Sequence, residues 1–273
     1  MTKTYPLAPA PLARRAIIVQ PERPRQVFPA HLIERLARGD GAAWGAVAAA
    51  PFIGSFLGLL IRRLPENRPV AWARSVCETC GHPLGPRDLV PLLSWLLGRG
   101  RCRFCGRPVG WFYPAVELAA LVVALFAIAA DRGPAVWLDC LLGWWLLALA
   151  WIDARNWLLP DVLTLPLVLV GLSAAALFAP ETLFARALGA ALGYARTRAV
   201  AWIYKKTRSG DGLGGGDAKL FAAAGAWVGA LALPSVILVA ALSALLAAAL
   251  LRLAGVRLTA RSAIPFGPFL ALA

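Results

Sequence analysis

Two aspartates lie where a polar segment meets an apolar one, and both are candidates for catalysis. Asp153 occurs in WIDARNWLLP and Asp217 in GLGGGDAKL, each beside a run of uncharged residues. Ionisable side chains at the edge of a membrane span are costly, which makes them functional candidates. Two neighbouring carboxylates cannot both ionise easily, so one keeps a proton while the other activates water against an amide carbonyl. The pair therefore predicts aspartic peptidase chemistry, with Asp161 as a further candidate eight residues after Asp153.

The glycine-rich turn before Asp217 has several interpretations. GDGLGG at residues 210–215 matches G-x-G-x-x-G, but a dinucleotide site needs a preceding strand, and no Walker A string is present. Asp217 could instead cap the helix predicted by AKLFAAAGAW, and Asp153 could be an interfacial residue that reaches water. In the catalytic interpretation, the glycines let a substrate backbone approach the carboxylate closely.

Four cysteines form a second constellation of chemical interest. They occur in CETCGHPLG and CRFCGRPVG as two C-x2-C pairs separated by 21 residues, at Cys77, Cys80, Cys102 and Cys105. Each pair is followed by Gly and Pro, which is typical of zinc knuckles that complete a tetrahedral four-thiolate site. Two disulfides are the alternative, although a cytoplasmic loop would disfavour them. We expect structural zinc, with His82 on the surface and Cys140 buried in a helix.

The chain that positions these residues has the composition of an integral membrane protein. It is 60% hydrophobic and only 15% charged, and residues 41–61, 162–180 and 220–251 contain no charged side chain. The last run would span about 48 Å as one helix, so we predict two helices meeting near Pro234. Adding weaker candidates at 114–130, 134–152 and 182–204, we predict an all-α bundle of seven spans. An eighth could begin within 262–273.

The basic residues predict the orientation of the bundle. The net charge of +14 would suggest nucleic acid in a soluble protein, but in a membrane protein it first indicates topology. Nine arginines fall in the 62–110 loop, and residues 205–219 and 252–261 are also basic, so this face should be cytoplasmic. Residues 1–40 are polar and basic, without the pattern of a cleavable signal peptide. We expect this extension to be disordered, although alternation places its charges on the opposite side.

Seven motifs in one order resemble the bacterial type IV prepilin peptidases over about residues 51–273. Besides the cysteine pairs, these motifs are SFLGLLIRRLP, VPLLSW, YPAVE, IDARNWLLPDVLTLP, GLGGGDAKL and IPFGPFLAL. The resemblance implies a GxGD-type aspartic peptidase with Asp153 and Asp217 as catalytic residues and Gly214, Gly215 and Gly216 beside the substrate. Asp153 is preferred to Asp161 because Pro160 follows it at the family's x6-Pro spacing.

The resemblance also implies a substrate and two activities. Such enzymes cut a basic leader from a type IV prepilin or type II secretion pseudopilin at the cytoplasmic face of the inner membrane. They then methylate the new amino terminus with S-adenosylmethionine. This chain departs from the family at Gly58 and Leu89, where amide side chains are common, and Arg196 and Arg198 are unusual within a span. The two arginines could snorkel to the basic face or line the bundle.

The sequence predicts three regions: the extension at 1–40, the first span with the zinc loop at 41–117, and the peptidase region at 118–273. Partners should be the substrate pilin and the lipid bilayer, with no nucleic acid, and the oligomeric state stays open. Two other functions remain as alternatives. A non-catalytic zinc-bearing scaffold for a secretion or pilus machine would need the cysteines but not the aspartates. A proton-coupled transporter would relay protons through Asp153 and Asp217.

Overall fold

The computed structural model describes residues 40–70, 74–207, 214–256 and 264–273, and within them the chain is helical with no strand. The predicted extension at 1–40, apart from Asp40, and residues 208–213 of the glycine turn lie outside the described residues. The helices are α1 Gly41–Arg63, α2 Leu93–Leu97, α3 Phe112–Ala130, α4 Ala135–Asn156, α5 Asp161–Phe178, α6 Leu183–Thr207, α7 Gly215–Val228, α8 Leu233–Leu253 and α9 Gly267–Leu272. Two short 3-10 turns lie at Pro86–Leu89 and Pro180–Thr182.

Five of these helices are long and apolar enough to cross a membrane: α1, α3, α4, α5 and α8. The all-α membrane architecture is thus confirmed, but the expected count of seven to eight spans is not. α6 is long enough at 25 residues, yet it carries several arginines and lysines. α7 has only 14 residues, or about 21 Å, which is shorter than a hydrocarbon core of about 30 Å.

The long uncharged run divides as predicted. α7 ends at Val228, the chain turns at Gly229 with φ +81, and α8 begins at Leu233 with Pro234 in its first turn. Glycine adopts a positive φ without a Cβ penalty, and proline is favoured at the start of a helix. The break therefore starts at the glycine, and the proline sets the direction of the next helix.

Tryptophan side chains join the helices of the bundle through hydrogen bonds. Indole N–H groups need a partner when buried, and here each donates to a backbone carbonyl of a neighbouring helix. The three pairs are Trp144 to Ala120 at 2.9 Å, Trp145 to Leu163 at 3.0 Å and Trp227 to Leu167 at 3.0 Å. Together they fix α4 against α3 and α5, and α5 against α7.

α6 packs against α7 through glycines despite its charged residues. A Cβ at Gly225 would lie 2.2 Å from the backbone of Gly189, and one at Gly193 would lie 2.5 Å from the carbonyl oxygen of Phe221. Small residues at such contacts allow helix backbones to approach closely. Arg196 and Arg198 are exposed, so they do not line the interior of the bundle.

Candidate active site and metal centre

Asp153 lies near the C-terminal end of α4 and is buried, with 7% of its surface exposed. The backbone N–H of Gly267, at the start of α9, donates to its Oδ2 atom at 2.8 Å. A methyl group at Gly267 would lie 2.6 Å from the same oxygen, so only glycine fits this approach. The helix ends just beyond, where the N–H of left-handed Trp157 donates to the Asp153 carbonyl at 2.9 Å.

Asp217 is the third residue of α7 and is half-buried. Its Oδ2 accepts a hydrogen bond from the backbone N–H of Gly214 at 3.2 Å. Gly214 occupies the N-cap position, so Asp217 is not the N-cap that the sequence suggested as an alternative. It nevertheless lies in the first turn, where the helix dipole favours a negative charge.

The fold brings the two aspartates together although 64 residues separate them in the chain. Their carboxylates are close enough for the charge on Asp153 to act on Asp217. The segment before α9 connects them, because Gly267 contacts Asp153 while the Phe266 ring stacks on Phe221 of α7 at 6.2 Å. Repulsion between two such carboxylates disfavours the state in which both are ionised.

Asp161, the third candidate, takes a different position from the pair. It begins α5, is exposed, and bonds through its carboxylate to the Lys219 ammonium. This ion pair joins the N-terminal ends of α5 and α7, and Pro160 directly precedes Asp161 in the chain. Sequence reasoning assigned no role to Lys219, because a contact across 58 residues is visible only in the tertiary structure.

The three glycines before Asp217 have different surroundings. Gly214 supplies the amide for Asp217, and no heavy atom lies within 4 Å of the Cβ position at Gly215. A Cβ at Gly216 would lie 2.7 Å from Leu159 in the turn between α4 and α5. Gly216 is therefore a packing residue, whereas Gly214 and Gly215 are exposed. The Cβ position of Gly215 is in open space, and that of Gly214 lies 3.5 Å from Oδ2 of Asp217.

The four predicted cysteines come together in the loop between α1 and α3. None forms a disulfide, and their sulfur atoms all lie within 4.8 Å of one another. A tetrahedral ion with 2.3 Å bonds to sulfur would require sulfur separations of about 3.8 Å. The donor set and its spacing therefore fit a single metal ion.

Each cysteine pair lies in a knuckle with the same backbone pattern. The Cys77 N–H donates to the His82 carbonyl at 2.9 Å, and the Cys102 N–H donates to the Arg107 carbonyl at 2.8 Å. Gly81 and Gly106 follow the second cysteine of each pair, with φ of +70 and +69. Glycine is required there because the turn is left-handed.

The knuckle amides and the neighbouring sulfurs change the pKa values of two of the thiols in opposite directions. The N–H groups of Cys80 and Thr79 lower the pKa of the Cys77 thiol to about 6. The amide of His82 lowers the pKa of the Cys80 thiol. Burial and the neighbouring sulfurs of Cys77 and Cys105 outweigh this effect, so the net pKa of Cys80 is raised to about 11. A bound cation would remove this competition between sulfurs, because it favours the thiolate at every position.

His82 and Cys140 lie where the sequence predicted. His82 is exposed, and its ring packs on Phe104 with 3.6 Å between centroids, so it joins the two knuckles. Cys140 is completely buried within α4, as expected for a thiol packed between helices.

Glu117 fastens the metal-binding loop to the bundle, a role that the sequence did not reveal. It is 5% exposed within α3, and its Oε2 atom accepts the backbone N–H of Leu92 at 2.8 Å. Gly54 makes room, since a Cβ there would lie 2.6 Å from the Glu117 Cα. The only signal in the sequence was the acidic residue within YPAVE, at the start of an apolar run.

The two departures from the family pattern also have defined surroundings. A Cβ at Gly58 would lie 2.8 Å from the Tyr113 ring, so the aromatic side chain occupies the space of a longer residue. Leu89 is 43% exposed and ends a 3-10 turn between the knuckles. Neither position supplies a side-chain amide that could bind a ligand.

These features define a polytopic helical membrane protein with one buried and one half-buried aspartate and a cluster of four cysteines that could hold a metal ion. Comparison with known proteins agrees. Residues 49–130 match the family described as the bacterial peptidase A24 N-terminal domain, and residues 140–250 match the type IV leader peptidase family. The chain belongs to the type IV leader peptidase family.

Several relatives carry the name prepilin leader peptidase/N-methyltransferase. One from Burkholderia pseudomallei strain 1026b is 36% identical over 83% of this chain and 81% of the relative. One from Dickeya chrysanthemi is 39% identical over 81% of this chain and 86% of the relative. One from Pseudomonas aeruginosa is 35% identical over 81% of this chain and 84% of the relative. No solved structure matches the chain.

Proposed function

We propose that this protein is a membrane peptidase that cleaves the basic leader from a type IV prepilin or a type II secretion pseudopilin. The observation that carries this proposal is the approach of Asp153 and Asp217, from the ends of α4 and α7, within one helical bundle. Family membership and the names of the relatives support the same reaction.

In the proposed mechanism the two carboxylates share one proton. The ionised group removes a proton from water, whose oxygen attacks the scissile carbonyl carbon, while the protonated group donates to the carbonyl oxygen. Collapse of the tetrahedral intermediate breaks the carbon–nitrogen bond and transfers a proton to the leaving amine. The Gly267 N–H holds Asp153 in position through its 2.8 Å hydrogen bond.

Substrate binding is assigned to the open side of Asp217. Gly214 and Gly215 leave space for an extended backbone, whereas Gly216 contributes by packing the helix against Leu159. A cavity of about 500 Å³ lies nearby, and its lining residues are Leu165, Val168, Leu169, Tyr194, Lys219 and Ala222. We assign this apolar cavity to an apolar side chain of the substrate, because its lining includes Lys219, which follows Asp217 by two positions in α7.

The metal proposed for the cysteine centre is zinc, in a structural role. Cys77, Cys80, Cys102 and Cys105 would occupy all four positions of a tetrahedral site, so no position is open for substrate. Zinc would supply a rigid cross-link between the two knuckles. The loop then keeps a fixed shape above the start of α3.

N-methylation with S-adenosylmethionine is the second activity in the relatives' name. Gly58 and Leu89 have no polar side chain, so this chain lacks the side-chain amides that the family commonly has at these two positions and does not fit the methyl donor there.

We place the protein in the bacterial inner membrane with the site at the cytoplasmic face. The ends of three spans meet there, because Arg62 at the end of α1 and Arg155 at the end of α4 both contact the ring of Phe112 at the start of α3. This end also carries the arginine-rich loop, as the positive-inside rule requires for a cytoplasmic face. We retain the division into 1–40, 41–117 and 118–273 as part of the proposal.

The test is incubation of the purified protein in lipid vesicles with a prepilin, followed by mass measurement of the product's amino terminus. Loss of the leader reports cleavage, and an added 14 Da reports methylation. Asp153→Asn and Asp217→Asn should each lower the cleavage rate at least about 10³-fold, since members of a catalytic unit act together. The exposed Asp131, at the opposite end of α3, supplies the control variant Asp131→Asn, which should cleave normally.

The same variants separate the alternatives. A scaffold would tolerate the loss of either aspartate, so wild-type cleavage in both variants would refute the peptidase. A transporter would lose proton-coupled flux in these variants without showing cleavage of a prepilin in the wild type.

A further inference from the structure

The short helix α2 carries an exposed apolar surface outside the spans. Leu93, Leu96 and Leu97 are 55%, 67% and 79% exposed, and Trp111, at the start of α3, is 69% exposed. Leucines on a water-facing loop are unfavourable when they form one patch, so such a patch indicates a contact with another apolar phase. No described part of the chain covers these side chains.

Two independent contacts fix α2 beside the start of the span α3. Leu92, the residue before α2, bonds through its N–H to Glu117, the sixth residue of the span α3 and about 8 Å along its axis. Trp95 within α2 packs on Trp111, with 4.1 Å between the rings, and Trp111 directly precedes α3. The helix therefore lies beside the first turns of a span, at the depth where aromatic residues meet the lipid headgroups.

The loop that contains α2 is rich in exposed arginines. Arg87, Arg99, Arg101, Arg103 and Arg107 are all exposed, while Asp88 is the only acidic residue between positions 79 and 116. Asp88 is 3.4 Å from Arg103, which leaves a clear excess of positive charge. Each basic residue near an anionic membrane surface contributes about 1 kcal/mol of attraction.

We propose that α2 is an interfacial helix that docks the metal-binding loop on the membrane. Its leucines enter the boundary between headgroups and acyl chains, and the neighbouring arginines bind anionic phospholipid headgroups. Lipid is a better partner for this surface than the substrate, because the proposed prepilin leader is itself basic and would be repelled by the arginines. The choice of lipid over the substrate rests on the proposed function, whereas the lipid contact itself rests on the leucines and arginines of this loop.

The test places the photo-crosslinking residue p-benzoylphenylalanine at position 97 of the full-length protein. The protein is reconstituted in vesicles of phosphatidylcholine, with or without phosphatidylglycerol, and adducts are identified by mass. The matched control has the same residue at Phe104, which is 46% exposed on the second knuckle. We expect phosphatidylglycerol adducts at position 97 at least about fivefold more often than at position 104. Phe104 already lies under Arg103, so this ratio reports entry of the leucines into the lipid and not arginine contact alone.

Other outcomes would overturn the inference. Crosslinking of position 97 to an added prepilin, to a second copy of the protein or to nothing would show that lipid does not cover α2. The double variant Arg99→Gln with Arg87→Gln provides a second measurement that leaves the leucines intact. It should lower the lipid adducts at position 97 by about fivefold or more in vesicles with phosphatidylglycerol. Unchanged yields would refute the role of the arginines.

Discussion

The contact between Gly267 and Asp153 allows a quantitative prediction for the substitution Gly267→Ala. The added methyl carbon would lie 2.6 Å from Oδ2, 2.9 Å from Cγ and 3.0 Å from Cβ of Asp153. Ordinary contacts between such atoms begin near 3.4 Å, so α9 or the carboxylate must move by about 0.8 Å. The N–H hydrogen bond to Oδ2 would lengthen at the same time.

A displacement of this size should affect the chemical step more than binding. Misplacing a catalytic group by about 1 Å costs on the order of 100-fold in rate, or about 2.7 kcal/mol at 1.36 kcal/mol per tenfold. We expect Gly267→Ala to lower kcat for prepilin cleavage by about 100-fold. KM should change less than about threefold, because Gly267 contacts the carboxylate and not the proposed substrate channel.

The assay is cleavage of a purified prepilin by the reconstituted protein at several substrate concentrations, with the melting temperature of each variant measured in parallel. Gly41→Ala is the matched control, since a Cβ there has no heavy atom within 4 Å and the residue begins α1 far along the chain from the aspartates. It should retain the wild-type kcat. If Gly267→Ala is stably folded and its kcat stays within threefold of wild type, the positioning role of Gly267 is refuted.

Three further predictions address other parts of the molecule. Cys80→Ser should reduce bound zinc from one ion per chain to well below one, measured by atomic absorption, with faster trypsin cleavage of the loop; Cys140→Ser should keep the ion. Lys219→Met should lower kcat by about tenfold or less, because Lys219 bonds to Asp161 and not to Asp153 or Asp217. An effect as large as that of Asp217→Asn would instead show that Lys219 takes part in the chemical step. Ala222→Leu should fill part of the proposed substrate cavity and raise KM severalfold, and an unchanged KM would exclude that cavity from binding.

Much of the site could be predicted because its residues occur in short motifs that can be recognised from their spacing in the chain. The two C-x2-C pairs with their following glycines predict two knuckles, and four thiols brought together in this way are typical of one tetrahedral metal site. The break near Pro234 was also readable, since an uncharged run of 32 residues exceeds the thickness of a bilayer. The number of spans was less predictable from the sequence. Whether the charged α6 and the short α7 lie within the membrane depends on the helices that pack against them.

The sequence by itself determined the membrane class, the cysteine centre and the identity of the candidate aspartates, since composition and spacing act over short distances. Only the tertiary structure decided the partners of those residues. The amide of Gly267 reaches Asp153 from 114 residues away, Lys219 reaches Asp161 across 58, and Leu92 reaches Glu117 across 25. Hydrogen bonds of this kind depend on how helices pack, and packing is set by the whole bundle through contacts such as Gly193 against Phe221.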